Sequence, residues 1–253
     1  MINTVMHGDC LELMKDIPDS SIDMILCDLP YGTTACKWDV IIPFDLLWAQ
    51  YKRIVKPNAA IVLTASQPFT SQLVMSNPKW FRYEWIWEKS NGTGFLSASK
   101  MPLKIHENIL IFSEFSAKYE PIKTPGKPYS AKRRGGCELY GQKRISSISD
   151  GWRFPNTLIR FTNPRHESTH PTQKPVALFE YLIKTYTNEG DLILDNCAGS
   201  GTTAVAAINT NRNYILMEKE AKYIEVINQR LGNHEPSPVL NFPPQPQQLT
   251  LFA

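Results

Sequence analysis

Met24-Ile25-Leu26-Cys27-Asp28-Leu29-Pro30-Tyr31-Gly32 is the stretch from which the fold is read. A short, continuously apolar run stopped by Pro and Gly predicts a buried strand followed by a turn. The turn carries a carboxylate, a backbone carbonyl whose direction Pro30 helps to fix, and a flat ring, all within four residues. Such a set suits a planar, amine-bearing base. Asp28 and the Leu29 carbonyl each accept one proton of an exocyclic NH2, while Tyr31 stacks on the ring. Taken alone, the run also fits an ordinary strand entering a proline turn.

Upstream, residues 2 to 9 read as a strand ending at His7-Gly8-Asp9. A short helix with Leu11, Leu13, Met14 and Ile17 as its apolar positions follows, so the opening is a βαβ unit. Downstream, Phe44, Leu47, Trp48, Tyr51, Ile54 and Val55 recur at helical spacing. Ala59 to Leu63 reads as a second buried strand, and a helix is expected from Pro68 to Met75. Tyr83 to Trp87 and Glu107 to Phe112 read as two more strands. Lys89 to Lys104 between them is small, basic and Gly-containing, and a loop of that length is usually functional or mobile. Ala177 to Thr187 is an amphipathic helix, with Leu178, Phe179, Leu182, Ile183 and Tyr186 on one face.

The chain has 253 residues, enough for one sizeable α/β domain and a small insertion. No apolar run is long enough to span a membrane, and the start lacks the pattern of a signal peptide. Cys10, Cys27, Cys36, Cys137 and Cys197 form no CxxC pair, which points to a reducing cytoplasm and neither disulfides nor a zinc cluster. The net charge of +3 is unevenly spread. Lys118, Lys123, Lys127, Lys132, Arg133, Arg134, Lys143 and Arg144 face only Glu120 and Glu138 within residues 118 to 144. A basic segment interleaved with Tyr119, Tyr129, Tyr140, Trp152 and Phe154, on a slightly acidic body, points to a polyanion partner. A solvated loop is the plain alternative.

A second constellation lies near the end. Leu192-Ile193-Leu194 reads as a strand running into Asp195-Asn196-Cys197-Ala198-Gly199-Ser200-Gly201-Thr202-Thr203 and then an Ala-rich helix. Strand, Gly-Ser-Gly loop and helix make a nucleotide cradle, and Glu218 at the end of the next strand suits a ribose diol. The full GxGxxG fingerprint is missing, which favours a nucleoside over a dinucleotide.

Together these motifs resemble the S-adenosylmethionine-dependent amino DNA methyltransferases, which methylate adenine N6 or cytosine N4. Asp28-Leu29-Pro30-Tyr31 resembles the family's [Asp/Asn/Ser]-Pro-Pro-[Tyr/Phe/Trp] catalytic motif. His170-Pro171-Thr172-Gln173-Lys174-Pro175 resembles the segment before its first cofactor helix, and Asp195 to Thr203 its cofactor loop. The catalytic motif comes first and the cofactor motif last, as in the circularly permuted β class. The resemblance implies a doubly wound, Rossmann-like α/β sheet with a small inserted target-recognition region. Residues 1–114 would form the catalytic half, 115–170 the insertion, 171–233 the cofactor half and 234–253 a disordered tail. It assigns catalysis to Asp28, Leu29, Pro30 and Tyr31. S-adenosylmethionine falls to Lys174, Asp195, Ala198, Gly199, Ser200, Gly201, Thr202, Thr203 and Glu218, with Asp9 and Cys10 matched only by position. Leu29 departs from the first proline of the motif but keeps the carbonyl, whereas Asn196-Cys197 in place of Pro-Phe removes an aromatic contact from the cofactor. Cytosine C5 chemistry would need a Pro-Cys nucleophile, which does not occur.

The expected partner is double-stranded DNA, with Lys132, Arg133 and Arg134 on its phosphates, and the resemblance leaves room for a homodimer. Gln248-Leu249-Thr250-Leu251-Phe252 resembles the peptide that docks bacterial proteins on the replication sliding clamp, through Gln248, Leu249, Leu251 and Phe252. His166-Glu167-Ser168-Thr169-His170 matches the HExxH zinc pattern. That pattern needs a helix, which Pro164 and Pro171 disfavour, so no metal is expected. Adenine N6 is the favoured acceptor, since Asp at position 28 leans that way within the family. Cytosine N4, an amide or RNA base, and a non-catalytic DNA- or replisome-binding role are the alternatives.

Overall fold

The computed structural model describes residues 2–131, 147–163 and 173–234. These fall into two compact units, one from 2–120, 157–163 and 173–234 and a smaller one from 121–131 and 147–156.

In the large unit the chain opens with β1 (Thr4–His7), α1 (Cys10–Leu13) and β2 (Ile22–Asp28). It continues with α2 (Phe44–Ile54), β3 (Val55–Ala65), α3 (Phe69–Ser76), β4 (Phe81–Thr93) and β5 (Lys104–Phe112). The smaller unit holds two short ribbons. One pairs β6 (Thr124–Pro125) with β9 (Trp152–Arg153), the other β7 (Tyr129–Ala131) with β8 (Ser147–Ser149). The chain then returns through β10 (Leu158–Arg160), α4 (Val176–Tyr186), β11 (Leu192–Asp195), α5 (Thr202–Asn209), β12 (Asn213–Glu218) and α6 (Ala221–Gly232).

Eight strands form one sheet in the order β1-β12-β11-β2-β3-β5-β4-β10. Every neighbouring pair is parallel except β3–β5 and β5–β4, so β5 alone runs backwards. Continuous apolar runs suit strands covered on both faces. Ile25, Cys27, Ile61 and Leu63 pack with Met14, Leu47, Tyr51, Ile54, Phe69 and Leu73 of the helices on one face. Their alternates Met24, Leu26, Ala60 and Val62 are equally buried and point the other way, the side on which α4 packs against β2.

Two expectations change. β4 runs to Thr93 and β5 starts at Lys104, so the expected 89–104 loop is shortened to 94–103, its base closed by the Thr93↔Lys104 pair. The strand runs on through Ser90-Asn91-Gly92, a register irregularity between the Glu88↔His106 and Thr93↔Lys104 pairs. The stretch 115–170 is also not wholly outside the sheet. β10 pairs with β4 through Leu158↔Ile86 and Arg160↔Glu88, and 115–120 belong to the large unit. Three residues carry too little periodicity to be read as a strand. Lys132, Arg133, Arg134, the HExxH stretch and the tail from 235 onward lie outside the described residues.

Candidate active site

Parallel strands present their carboxyl ends on one side, and ligands of open α/β sheets bind there. Asp28 ends β2, Asp195 ends the adjacent β11 and Glu218 ends β12, so three acids line one edge.

Asp28 is fully engaged. Its Oδ1 accepts from the Tyr31 hydroxyl at 2.7 Å and from the Thr64 hydroxyl of β3, the residue level with it in register. Its Oδ2 accepts from Lys174 Nζ at 2.5 Å. Lys174 also lies 3.3 Å from Glu107 Oε2, and Lys89 pairs with Glu107 Oε1. Two ammoniums and two carboxylates thus form a neutral cluster, with the Lys174 and Glu107 side chains only 7% and 12% exposed. Burial disfavours the Glu107 charge, but Lys174 and Lys89 outweigh it and hold the carboxyl below its usual range. Burial likewise opposes the Lys174 charge, and Asp28 with Glu107 outweighs that and raises its pKa. An incoming exocyclic amine would have to take over the place of the Lys174 ammonium on Oδ2.

The loop after Tyr31 is tied down by a residue the sequence reading passed over. Asp39 accepts from the backbone N–H groups of Gly32, Thr33 and Thr34 at 2.8, 2.9 and 2.7 Å. Burial alone would raise its pKa, yet these donors and the Thr34 side chain hold it low. Gly32 is required here, because its φ is +66° and a Cβ would stand 3.0 Å from Ile41. The Tyr31 ring stacks on Phe69 at 5.1 Å between centroids. Asp28, Leu29, Pro30, Tyr31, Trp38, Trp87, Lys89, Glu107 and Lys174 line a cleft of about 300 Å³.

A second cleft of about 280 Å³ opens over the ends of β11 and β12. Glu218 sits at its floor. Its Oε2 accepts from Gly199 N and its Oε1 from Glu220 N, both at 2.8 Å, which leaves each oxygen a lone pair for a hydroxyl. Burial pushes the Glu218 carboxyl up, and these backbone donors pull it part of the way back. Ile41, Ile42 and Tyr223 supply apolar wall, while Asp9 caps α1 by accepting from Leu11 N at 3.0 Å. Pro30 and Trp38 line both clefts, so a group in one lies beside a group in the other.

Of the residues expected at the cofactor, Asp9, Cys10, Gly199 and Glu218 line this cleft. Lys174, Asp195, Ala198, Ser200 and Thr202 meet Gly199 and Asp28 in a narrow recess of about 40 Å³. Thr203 is fully buried, its hydroxyl donating to Asp195 Oδ2 at 2.5 Å, and burial pushes the Asp195 carboxyl up to about 6. The backbone of Gly201 has φ +77°, and a Cβ there would crowd Ile227 at 3.2 Å. Both residues shape the loop from behind. Ser200 and Thr202 are held by Arg230 Nη1 at 3.0 to 3.2 Å. Asn196 departs from the family motif for a visible reason, since its Oδ1 accepts from the buried Tyr51 hydroxyl of α2 at 2.6 Å. Burial pushes the Cys27 thiol up to about 12, so it is no nucleophile despite its place beside Asp28.

Thr64, Glu107, Lys89, Trp38, Trp87 and Asp39 had no site role assigned from the sequence. Thr64 left a weak signal, a polar residue directly after the apolar run Ala59–Leu63.

A model of the DNA methylase family, N6/N4 type, matches residues 22–229, and the chain belongs to that family. Over 267 aligned residues it is 29% identical to the Type II methyltransferase M.BglII of Bacillus subtilis, covering 96% of this chain and 72% of that protein. It is also 29% identical to the DNA adenine methyltransferase YhdJ of Escherichia coli K12, covering 90% and 82% of the two chains. Among solved structures, the M1.HpyAVI–SAM complex superposes with a TM-score of 0.62 at 24% identity, over 90% of this chain and 98% of that one. The cytosine-N4-specific PvuII DNA methyltransferase gives 0.69 at 16% identity, over 93% and 89%. At these identities the structures establish the fold.

Proposed function

We propose that the chain transfers a methyl group from S-adenosylmethionine to N6 of an adenine that has left the DNA duplex. The observation that carries this reading is the pair of clefts sharing Pro30 and Trp38, one floored by Glu218 and the other by Asp28. The first cleft suits the cofactor. Glu218 keeps acceptor capacity for a ribose diol, and Ile41, Ile42 and Tyr223 suit an adenine face. S-adenosylmethionine, when bound, supplies a methyl group already activated by its sulfonium.

The chain's own residues then align the acceptor. An exocyclic amine is a weak nucleophile because its lone pair is delocalised into the ring. Asp28 and the Leu29 carbonyl accept hydrogen bonds from its two N–H groups, draw the nitrogen toward tetrahedral geometry and aim the lone pair at the shared wall, and once the nitrogen is methylated its surplus proton passes to Asp28 Oδ2 and on to solvent. Thr64 and Tyr31 hold Oδ1, so Oδ2 is the oxygen that changes partner, from Lys174 to the amine. Glu107, 3.3 Å away, takes up the released ammonium.

Asp28 and the name of YhdJ favour adenine. Cytosine N4 is the second reading, favoured by the PvuII enzyme's superposition. The arrangement of Asp28 before Gly199 in the chain supports the permuted β class. In this reading 115–170 select the target, Lys132, Arg133 and Arg134 touch phosphates, and the terminal Gln248–Phe252 peptide tethers the enzyme to a sliding clamp. Purified protein, labelled cofactor and mixed DNA, digested to nucleosides, test the acceptor. Label confined to N4-methylcytosine removes the adenine assignment, and label absent from DNA removes the activity.

A further inference from the structure

The ribbon of β4 and β5 carries a feature that methyl transfer does not use. Asp28 is level with Thr64, Thr64 with Ile109, and Ile109 with Trp85. β4 runs in the same direction as β2 and continues to Thr93, eight residues past that level. At about 3.3 Å per residue a straight ribbon would project about 26 Å from the catalytic edge. It bends instead. The register shifts between Glu88 and Thr93, and Thr93 lines the Asp28 cleft. The tip therefore leaves from the cleft mouth.

That tip is apolar and bare. Gly94, at φ +93°, turns the chain into a single 3₁₀ turn, Phe95–Ser97. Phe95 is 69% exposed, Leu96 103% and Met101 59%. Three large side chains in water are unfavourable unless they enter something. The tip's surroundings say what they enter. No Asp or Glu occurs between Glu88 and Glu107; Lys89 is paired with Glu107 in the buried cluster, while Lys100 and Lys104 carry charge at the tip and its base, and Lys100 is exposed. An apolar point on a carboxylate-free, cationic stem complements a stacked interior behind a phosphate surface.

We propose that the 94–103 tip, led by Leu96, is a wedge that enters the base stack of the substrate duplex at the place vacated by the target base. This rests on the reading that the target leaves the duplex for the Asp28 cleft. Extruding a base opens an apolar gap and costs stacking. A side chain filling that gap lowers the cost of the extruded state without touching the reacting atoms, so Leu96 is a positioning residue.

The test uses the full chain and duplexes bearing the site that the wild-type protein labels. Single-turnover methylation by wild type and Leu96→Ser is compared on a matched duplex and on one with an abasic site opposite the target, where pairing is already lost. Unstacking costs a few kcal/mol, so the variant should be about 10- to 100-fold slower on the matched duplex. On the unpaired duplex the loss should be under about 3-fold, with cofactor affinity unchanged. Equal loss on both duplexes, or none on either, overturns the wedge. So does a wild-type dimer that Leu96→Ser converts to monomer, which would make the tip a subunit contact. If wild type labels no DNA at all, the proposed function falls first, and the wedge with it.

Discussion

Replacing Lys174 by Met keeps the stem of the side chain and removes one of two cations from the buried cluster at Asp28. Asp28 and Glu107 are then left with Lys89 alone, a net charge of −1 in a site where the Glu107 side chain is 12% exposed. Removing one partner of a buried ion pair typically costs about 3–5 kcal/mol, most of it from the stranded charge. A chain of this size loses about 2–4 °C of Tm per kcal/mol, so the variant should melt about 6–20 °C lower. Lys174→Met combined with Glu107→Gln restores neutrality and should recover at least about 1 kcal/mol relative to additivity. The pH dependence has a definite sign. The lowered Glu107 pKa gives stability that is present above its unfolded value and lost as pH falls through the folded one. The raised Lys174 pKa gives stability lost only as pH rises through the folded value. The difference between wild type and the Met variant should therefore be flat between about pH 5 and pH 10 and shrink in acid. Scanning calorimetry across pH measures all of this. A Met variant within about 1 kcal/mol of wild type, with an additive double mutant, would refute the counter-ion assignment.

Glu218→Ala strands the Gly199 and Glu220 N–H groups and should weaken cofactor binding by about 1–3 kcal/mol, while Asp28→Ala spares binding and abolishes turnover. Calorimetric titration of both separates the roles, and equal loss would show the division to be wrong. Asp195→Asn removes a carboxyl whose pKa burial raises to about 6. As pH rises from about 4 to 6 the unfolded chain releases that proton first, so wild-type stability falls there and levels off above. The gain from Asn should grow across that window, to at most about 3 kcal/mol, and a constant difference in urea melts from pH 4 to 8 contradicts it. Neutralising Lys132, Arg133 and Arg134 together should flatten the salt dependence of DNA binding, and an unchanged slope of log affinity against log salt would place the phosphates elsewhere.

Strong local signals made most of the fold legible. The apolar runs ending at Asp28 and Asp195 and the periodic helices α2 and α4 stand within a residue or two of where their patterns put them. β3 and β4 proved longer, because each passes through a register irregularity, at Lys56-Pro57-Asn58 and at Asn91-Gly92, where composition says turn, and resumes pairing beyond it. The site was legible only where function falls on motif residues. Lys174 was expected with the cofactor because it precedes α4, yet a four-carbon stem lets its ammonium reach the neighbouring strand end. Glu107, Lys89 and Asp39 act through pairings across strands and loops, and no spacing along the chain encodes those.

The β2–β11 pairing joins Met24 to Ile193 and Leu194 to Ile25, residues about 170 positions apart. Among the described residues β1 likewise pairs only with β12, through Thr4↔Ile215 to His7↔Glu218. A chain emerging from the ribosome can seat β2 against β3 early, but the other edge of β2 stays open until β11, about 170 residues later, has been translated. Until then Asp28 sits on an exposed strand margin without Lys174 on its carboxylate. The ion-paired Asp28 site is thus completed only once Lys174 and β11 have been made, and a product truncated before them holds Asp28 and Tyr31 without the ammonium and the strand that complete their surroundings.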